Sequence, residues 1–130
     1  MSLLFYSPQA NSHGERIRER LERAFRSERL EICRCAEALA RRLRAPRKLP
    51  GVAVAVLCSR QDLVDILAVE DLLSGVNTIL ILPDDDADTL AKAHRMRPRF
   101  LAYSYTDPEI VVSVLGRILL SQSKRSHIWG

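Results

Sequence analysis

The chain has 130 residues, 47% apolar and only 5% aromatic, a composition that fits one globular domain and excludes collagen, coiled coil, a disulfide miniprotein and a disordered chain. At that length roughly two-thirds of the unfolded surface can be buried, so a core forms without disulfides or a structural metal. The net charge of +4 is unevenly spread: residues 13–48 hold 12 basic and 6 acidic side chains, residues 49–94 hold 2 and 8, and residues 95–130 hold 6 and 2.

Leu3 to Tyr6 is a short apolar run closed by Ser7-Pro8, which predicts a first strand. Ser12 precedes Glu15 at capping-box spacing, and Ile17, Leu21, Ala24 and Phe25 form one stripe of a helix ending near Ser27. Leu30 to Cys33 predicts a second strand, and Ala36, Leu39, Ala40 and Leu43 a second helix that stops before Pro46 and Pro50. Val52 to Cys58 is apolar throughout and rich in valine, as a strand buried on both faces of a parallel sheet requires. Residues 62–73 carry Leu63, Ile66, Leu67 and Leu73 at helical spacing, and Thr78 to Leu82 is another β run closed by Pro83. A shorter helix is expected from Asp86 to Met96, stopped by Pro98, and Arg99 to Tyr103 is the fifth strand. Thr106-Asp107-Pro108-Glu109 opens a last helix with a cap, an early proline and an acid in its first turn. Its buried face is Ile110, Val111, Val114, Leu115, Ile118 and Leu119.

Five strands alternating with five helices predict a three-layer α/β domain, a doubly wound parallel sheet over residues 1–120, with residues 121–130 as a polar, basic C-terminal tail. The longest apolar runs fall far below the ~18 residues of a membrane span, and the first residues lack a secretory pattern. A cytoplasmic protein with no membrane partner is therefore expected. Cys33, Cys35 and Cys58 show no C-x-x-C and no histidine at zinc-finger spacing, so they are expected as core thiols; Cys33 and Cys35 would share a face as a soft-metal pair only if both lay in a strand. The arginines of the first helix alternate with Glu15, Glu19 and Glu22, with Glu19/Arg23 and Glu22/Arg26 at neighbour spacing. No helix-turn-helix pair, aromatic RNA-binding strand or zinc finger accompanies them, so nucleic-acid binding is not expected.

The alternation and lengths over residues 3–120 resemble a response-regulator receiver domain. Local matches are Cys35-Ala36-Glu37-Ala38-Leu39-Ala40, similar to the "x-x-E-A-L" start of that family's second helix, and Tyr103-Ser104-Tyr105-Thr106-Asp107-Pro108-Glu109, similar to its "K-P-F-D-P-E" opening of the last helix. The resemblance implies a flavodoxin-like sheet of order 2-1-3-4-5. It also implies an acidic pair after strand one for Mg²⁺, a phosphoryl-accepting Asp after strand three, a Thr or Ser after strand four and a Lys after strand five. This chain has instead Ser7-Pro8-Gln9, Cys58-Ser59-Arg60, Pro83-Asp84 and Ser104. With no carboxylate beside strand one, a hard cation has little to hold it, so the expectation is a degenerate receiver, without enzymatic activity or cofactor, that has lost the phosphorylation site.

Strand-end candidates for a ligand rim are Ser7, Cys58, Ser59, Asp62, Asp84, Asp85 and Ser104. Acids at a helix N-terminus, stabilised by the macrodipole, already account for the run Asp84 to Asp88, and no histidine is placed to activate the serines. Cys58 as a nucleophile would need a phosphate loop, and only Arg60 stands near it. Partner-face candidates are Arg95, Arg97, Arg99, Tyr103 and Tyr105 around the fourth helix, fifth strand and fifth helix, together with Trp129 in the tail. The expected function is that of a stand-alone, non-phosphorylatable signalling domain, a homodimer acting by protein–protein contact, since no effector domain fits after residue 120. The alternatives are an atypical regulator binding Mg²⁺ or a phosphoryl group through Asp62 or Asp84 to Asp88, and a small enzyme or carrier using Cys58.

Overall fold

The computed structural model describes residues 2–9, 11–46 and 48–129, with the side chains of the last helix described to Ser121. Its strands are β1 (Ser2–Tyr6), β2 (Arg29–Cys33), β3 (Val52–Val56), β4 (Asn77–Leu82) and β5 (Phe100–Tyr103). Its helices are α1 (Ser12–Ala24), α2 (Ala36–Arg44), α3 (Arg60–Leu67), α4 (Ala87–His94) and α5 (Pro108–Trp129). The five strands form one parallel sheet in the order β2-β1-β3-β4-β5.

The alternation of side chains along each strand sorts the core into two layers. One register row runs Ile32, Phe5, Val54, Ile79, Phe100 across the sheet. Its interior members pack with Ile17 and Leu21 of α1 and with Val111, Leu115 and Ile118 of α5. The next row, Cys33, Tyr6, Ala55, Leu80, Leu101, faces the other side. There Leu39 and Leu43 of α2, Leu63 and Ile66 of α3 and Ala93 of α4 cover it. Every residue of β3 is buried, which is why its sequence is apolar without alternation.

Several boundaries differ from expectation, each for a local reason. Asn11, not Ser12, caps α1: its side chain accepts from the Gly14 N–H at 2.7 Å. A methyl added at Gly14 would lie 3.3–3.4 Å from the Asn11 amide and 3.4 Å from the Ser7 hydroxyl, so the cap fits closely only against glycine. On the outer face of α1, Arg18 bridges Glu15 at 2.8 Å and Glu22 at 2.7 Å, in place of the Glu19/Arg23 and Glu22/Arg26 pairs. The helix expected over 62–73 is two pieces, α3 and a 3-10 turn at Glu70–Leu73. The last helix continues through Trp129, so the segment read as a tail extends α5; no proline interrupts it after Pro108.

Candidate functional site

Chain direction places the end of every strand, and the start of the helix after it, at one rim. Two loops meet at that rim, residues 7–9 with Asn11 after β1 and residues 57–59 after β3. Ser59 caps α3, its hydroxyl accepting from the Asp62 N–H at 3.2 Å. Asp62, in the first turn of α3, is only 4% exposed. Its Oδ2 accepts from the Cys58 N–H at 2.9 Å, and the Gln9 amide donates to Oδ1 and Oδ2, both at 3.1 Å, and to the Ser59 hydroxyl at 3.3 Å. Both carboxylate oxygens are thus used to tie the β1–α1 loop to the β3–α3 loop. Replacing Asp62 with Ala leaves the Cys58 N–H without its acceptor and the Gln9 amide with the Ser59 hydroxyl alone. The expected cost is about 1–3 kcal/mol in chemical denaturation, with Asp62→Asn losing less.

The other rim candidates divide. Ser7 is buried and its hydroxyl donates to the Gln9 carbonyl, a bond within its own loop. Cys58 and Ser104 do come together, lining a cleft of about 210 Å³ with Asn11, His13 and Pro83. The Asn11 amide reaches the Cys58 sulfur. His13 Nε2 lies 2.9 Å from the Thr106 carbonyl, which can only accept, so that nitrogen carries the proton and the buried Nδ1 is left without a partner. Burial, and secondarily the Asp62 charge, push the Cys58 thiol up from its ordinary range, the opposite of what an activated nucleophile needs.

The acidic run behaves differently from a set of simple helix caps. Asp86 is the N-cap of α4 but makes no side-chain cap bond; it pairs with Arg60, which also reaches Asp84 at 3.3 Å. The Thr89 hydroxyl, the Asp86 N–H and the Arg60 guanidinium hold the Asp84 carboxyl below the usual carboxylate range. Asp88 bridges Lys92 at 3.1 Å, while Asp85 is exposed. Among the described residues no three His, Cys, Asp or Glu side chains converge as a metal site would require.

The thiols are not all core residues. Cys33 is buried in β2, but Cys35 is exposed as the cap of α2, its sulfur accepting from the Ala38 N–H at 3.4 Å, so the two do not share a strand face. Arg97 and Arg99 precede β5 whereas Tyr103 and Tyr105 stand at and beyond its other end, so the proposed partner face separates into two regions. Tyr103 and Tyr105 stack with ring centroids 5.3 Å apart, and Tyr105 is 73% exposed. Trp129 lies outside the described side chains. Gln9, Asn11 and Arg60 were not among the candidates, although they make the cross-links. The one sequence signal was Asn11, a favoured N-cap residue just ahead of the helical stripe.

No protein-family model and no curated protein matches the sequence. Solved structures do. A CheY-like response-regulator receiver domain protein from Methanospirillum hungatei matches at TM-score 0.70 and 11% identity, covering 95% of this chain and 97% of that one. The signal receiver domain of an HD domain-containing protein from Pseudomonas fluorescens matches at 0.68 and 20%, with 95% and 97% covered. The BeF3-activated DrrB receiver domain matches at 0.66 and 12%, with 91% and 96% covered. Among the described residues no helix is long and apolar enough to cross a membrane. The likeness is one of fold: five parallel strands in the order 2-1-3-4-5 with five helices, the flavodoxin-like architecture of receiver domains.

Proposed function

We propose that this chain is a pseudo-receiver, a cytoplasmic signalling domain that works by protein–protein contact, as a homodimer, without aspartyl phosphorylation. The receiver fold supports the signalling role. One observation carries the loss of the switch: the strand-end position after β3 is a thiol, and the nearest carboxylate, Asp62, has both oxygens committed to Gln9 and the Cys58 N–H. Phosphoryl transfer to a carboxylate needs an oxygen free to attack and a cation to offset the charge that develops. Here Arg60 already engages the neighbouring Asp84 and Asp86. The stacked Tyr103 and Tyr105, with exposed Ile110 on α5, supply the aromatic and apolar character of a contact surface. Three free cysteines fit a reducing compartment.

The test is an amide NMR titration with Mg²⁺ and then beryllofluoride, following Ser7, Cys58, Ser59, Asp62, Asp84, Asp85 and Ser104. A flat response is expected, with sedimentation velocity on the same sample giving a dimer. Saturable shifts converging on those amides would make the chain a phosphorylation switch after all, and a concentration-independent monomer would remove the homodimer.

A further inference from the structure

We propose that the edge of the sheet where the strands begin binds nucleic acid through its phosphate backbone. Three connections that are far apart in sequence deliver cations to this edge. Arg26 comes from the turn after α1 and Arg29 opens β2, Arg44 ends α2 and Lys48 follows it before β3, and Arg97 and Arg99 lie between α4 and β5. All six are exposed, and none has a carboxylate partner among the described residues. The acids there are fewer: Glu28, Glu70 and Asp71, with Glu70 held by Arg95 at 3.1 Å. At the opposite rim Arg60 engages Asp84 and Asp86, and Arg20 engages Glu109 at 2.9 Å. Arg16, Arg23, Arg41 and Arg117 are exposed and, among the described residues, unpaired on the helices, but only at this edge do unpaired cations from three separate connections gather.

Helix dipoles explain only part of this. A cation in the last turn of a helix offsets the negative C-terminus, which accounts for Arg44. Arg26, Arg29, Lys48, Arg97 and Arg99 lie outside the helices. Arg97 has a φ of 50°, a left-handed conformation that glycine or asparagine adopts at lower cost, yet an arginine stands there.

The character of the edge selects the partner. A protein interface or a membrane surface needs apolar anchors. In the three connections Leu49, 41% exposed, is the only large exposed apolar side chain among the described residues. Five of the six cations are arginine, whose planar fork pairs two N–H groups with one phosphate. Arg29 and Arg99 lead into the two outermost strands, four strand spacings or roughly 19 Å apart, so the charge can contact several phosphates of one duplex. No base-reading element accompanies it, and the binding is independent of sequence.

The test is fluorescence anisotropy of the full chain with a labelled duplex of about 20 base pairs at about 50 and about 200 mM salt. With about four phosphate contacts, affinity falls roughly 100-fold between the two. Arg26→Glu/Arg29→Glu and Arg97→Glu/Arg99→Glu should each weaken binding by about tenfold or more, whereas Arg16→Glu/Arg20→Glu on α1, the same change in net charge placed toward the opposite rim, should stay within about threefold. Circular dichroism checks folding, and the Arg→Gln pairs replace any variant that fails it. No binding at low salt, equal loss in edge and control variants, or binding to phosphatidylserine vesicles or polyglutamate as tight as to the duplex would each overturn the proposal.

Discussion

Replacing Phe5 with alanine is expected to remove about 3–5 kcal/mol of stability. Phe5 is 0% exposed and sits on β1, with Ile32 on one side of it in the register and Val54 on the other. Its ring lies in the layer that Ile17 and Leu21 of α1 share with Val111 and Leu115 of α5. Because β1 is hydrogen-bonded to β2 and β3 at once, the backbone cannot close in on the space left by the ring, and the cavity term adds to the lost transfer energy. A domain of this size has about 5–15 kcal/mol in total, so the variant should melt roughly 10–20 °C lower. Ile32→Ala, in the same row but 42% exposed on the edge strand, should cost about 1 kcal/mol or less. Urea midpoints for the two variants decide the matter: equal losses would mean that β1 does not lie inside the sheet.

Those same residues show why the fold was legible. Val52 to Leu57 and Ile79 to Leu82 are uninterrupted apolar runs, and only a strand covered on both faces makes such a run stable, so the middle of a parallel sheet followed directly. Helix stripes such as Ile17 and Leu21 announced their buried faces in the same way. The rim was less legible because its determinants are pairs distant in sequence. Gln9 and Asp62 meet 53 residues apart, and Arg60 meets Asp86 across 26. Composition could not show that Asp62 is a latch rather than a free carboxylate, nor that Cys35 leaves the core to cap a helix, since either depends on which loop stands opposite. The charge pattern was hidden for the same reason: arginines that alternate with acids along α1 were visible, while those gathered from three separate turns became a group only through the topology.

Raising the pH should destabilise this protein through one buried phenol. Tyr6 is 1% exposed at the end of β1, and its pKa is pushed up to about 12 from 10, first by burial and then by the charges of Asp62 and Asp65 and of the Cys35 and Cys33 thiols. The folded state therefore holds this proton more tightly than the unfolded chain does. Its contribution is complete below pH 10, the unfolded value, and is lost as the pH rises through about 12. Two pKa steps correspond to about 3 kcal/mol. The unfolding free energy of the native protein should thus fall by about that amount more than that of Tyr6→Phe over this window. Cys33 and Cys58, both raised mainly by burial, contribute in the same direction but are present in both proteins, so the difference isolates Tyr6. The Tyr6 phenolate absorbance, taken as wild type minus variant, should appear together with the loss of circular dichroism, because the group ionises as its pocket opens. Parallel pH profiles for the two proteins would mean that Tyr6 ionises freely, and that the end of β1 beneath the Gln9–Asp62 latch is open to water.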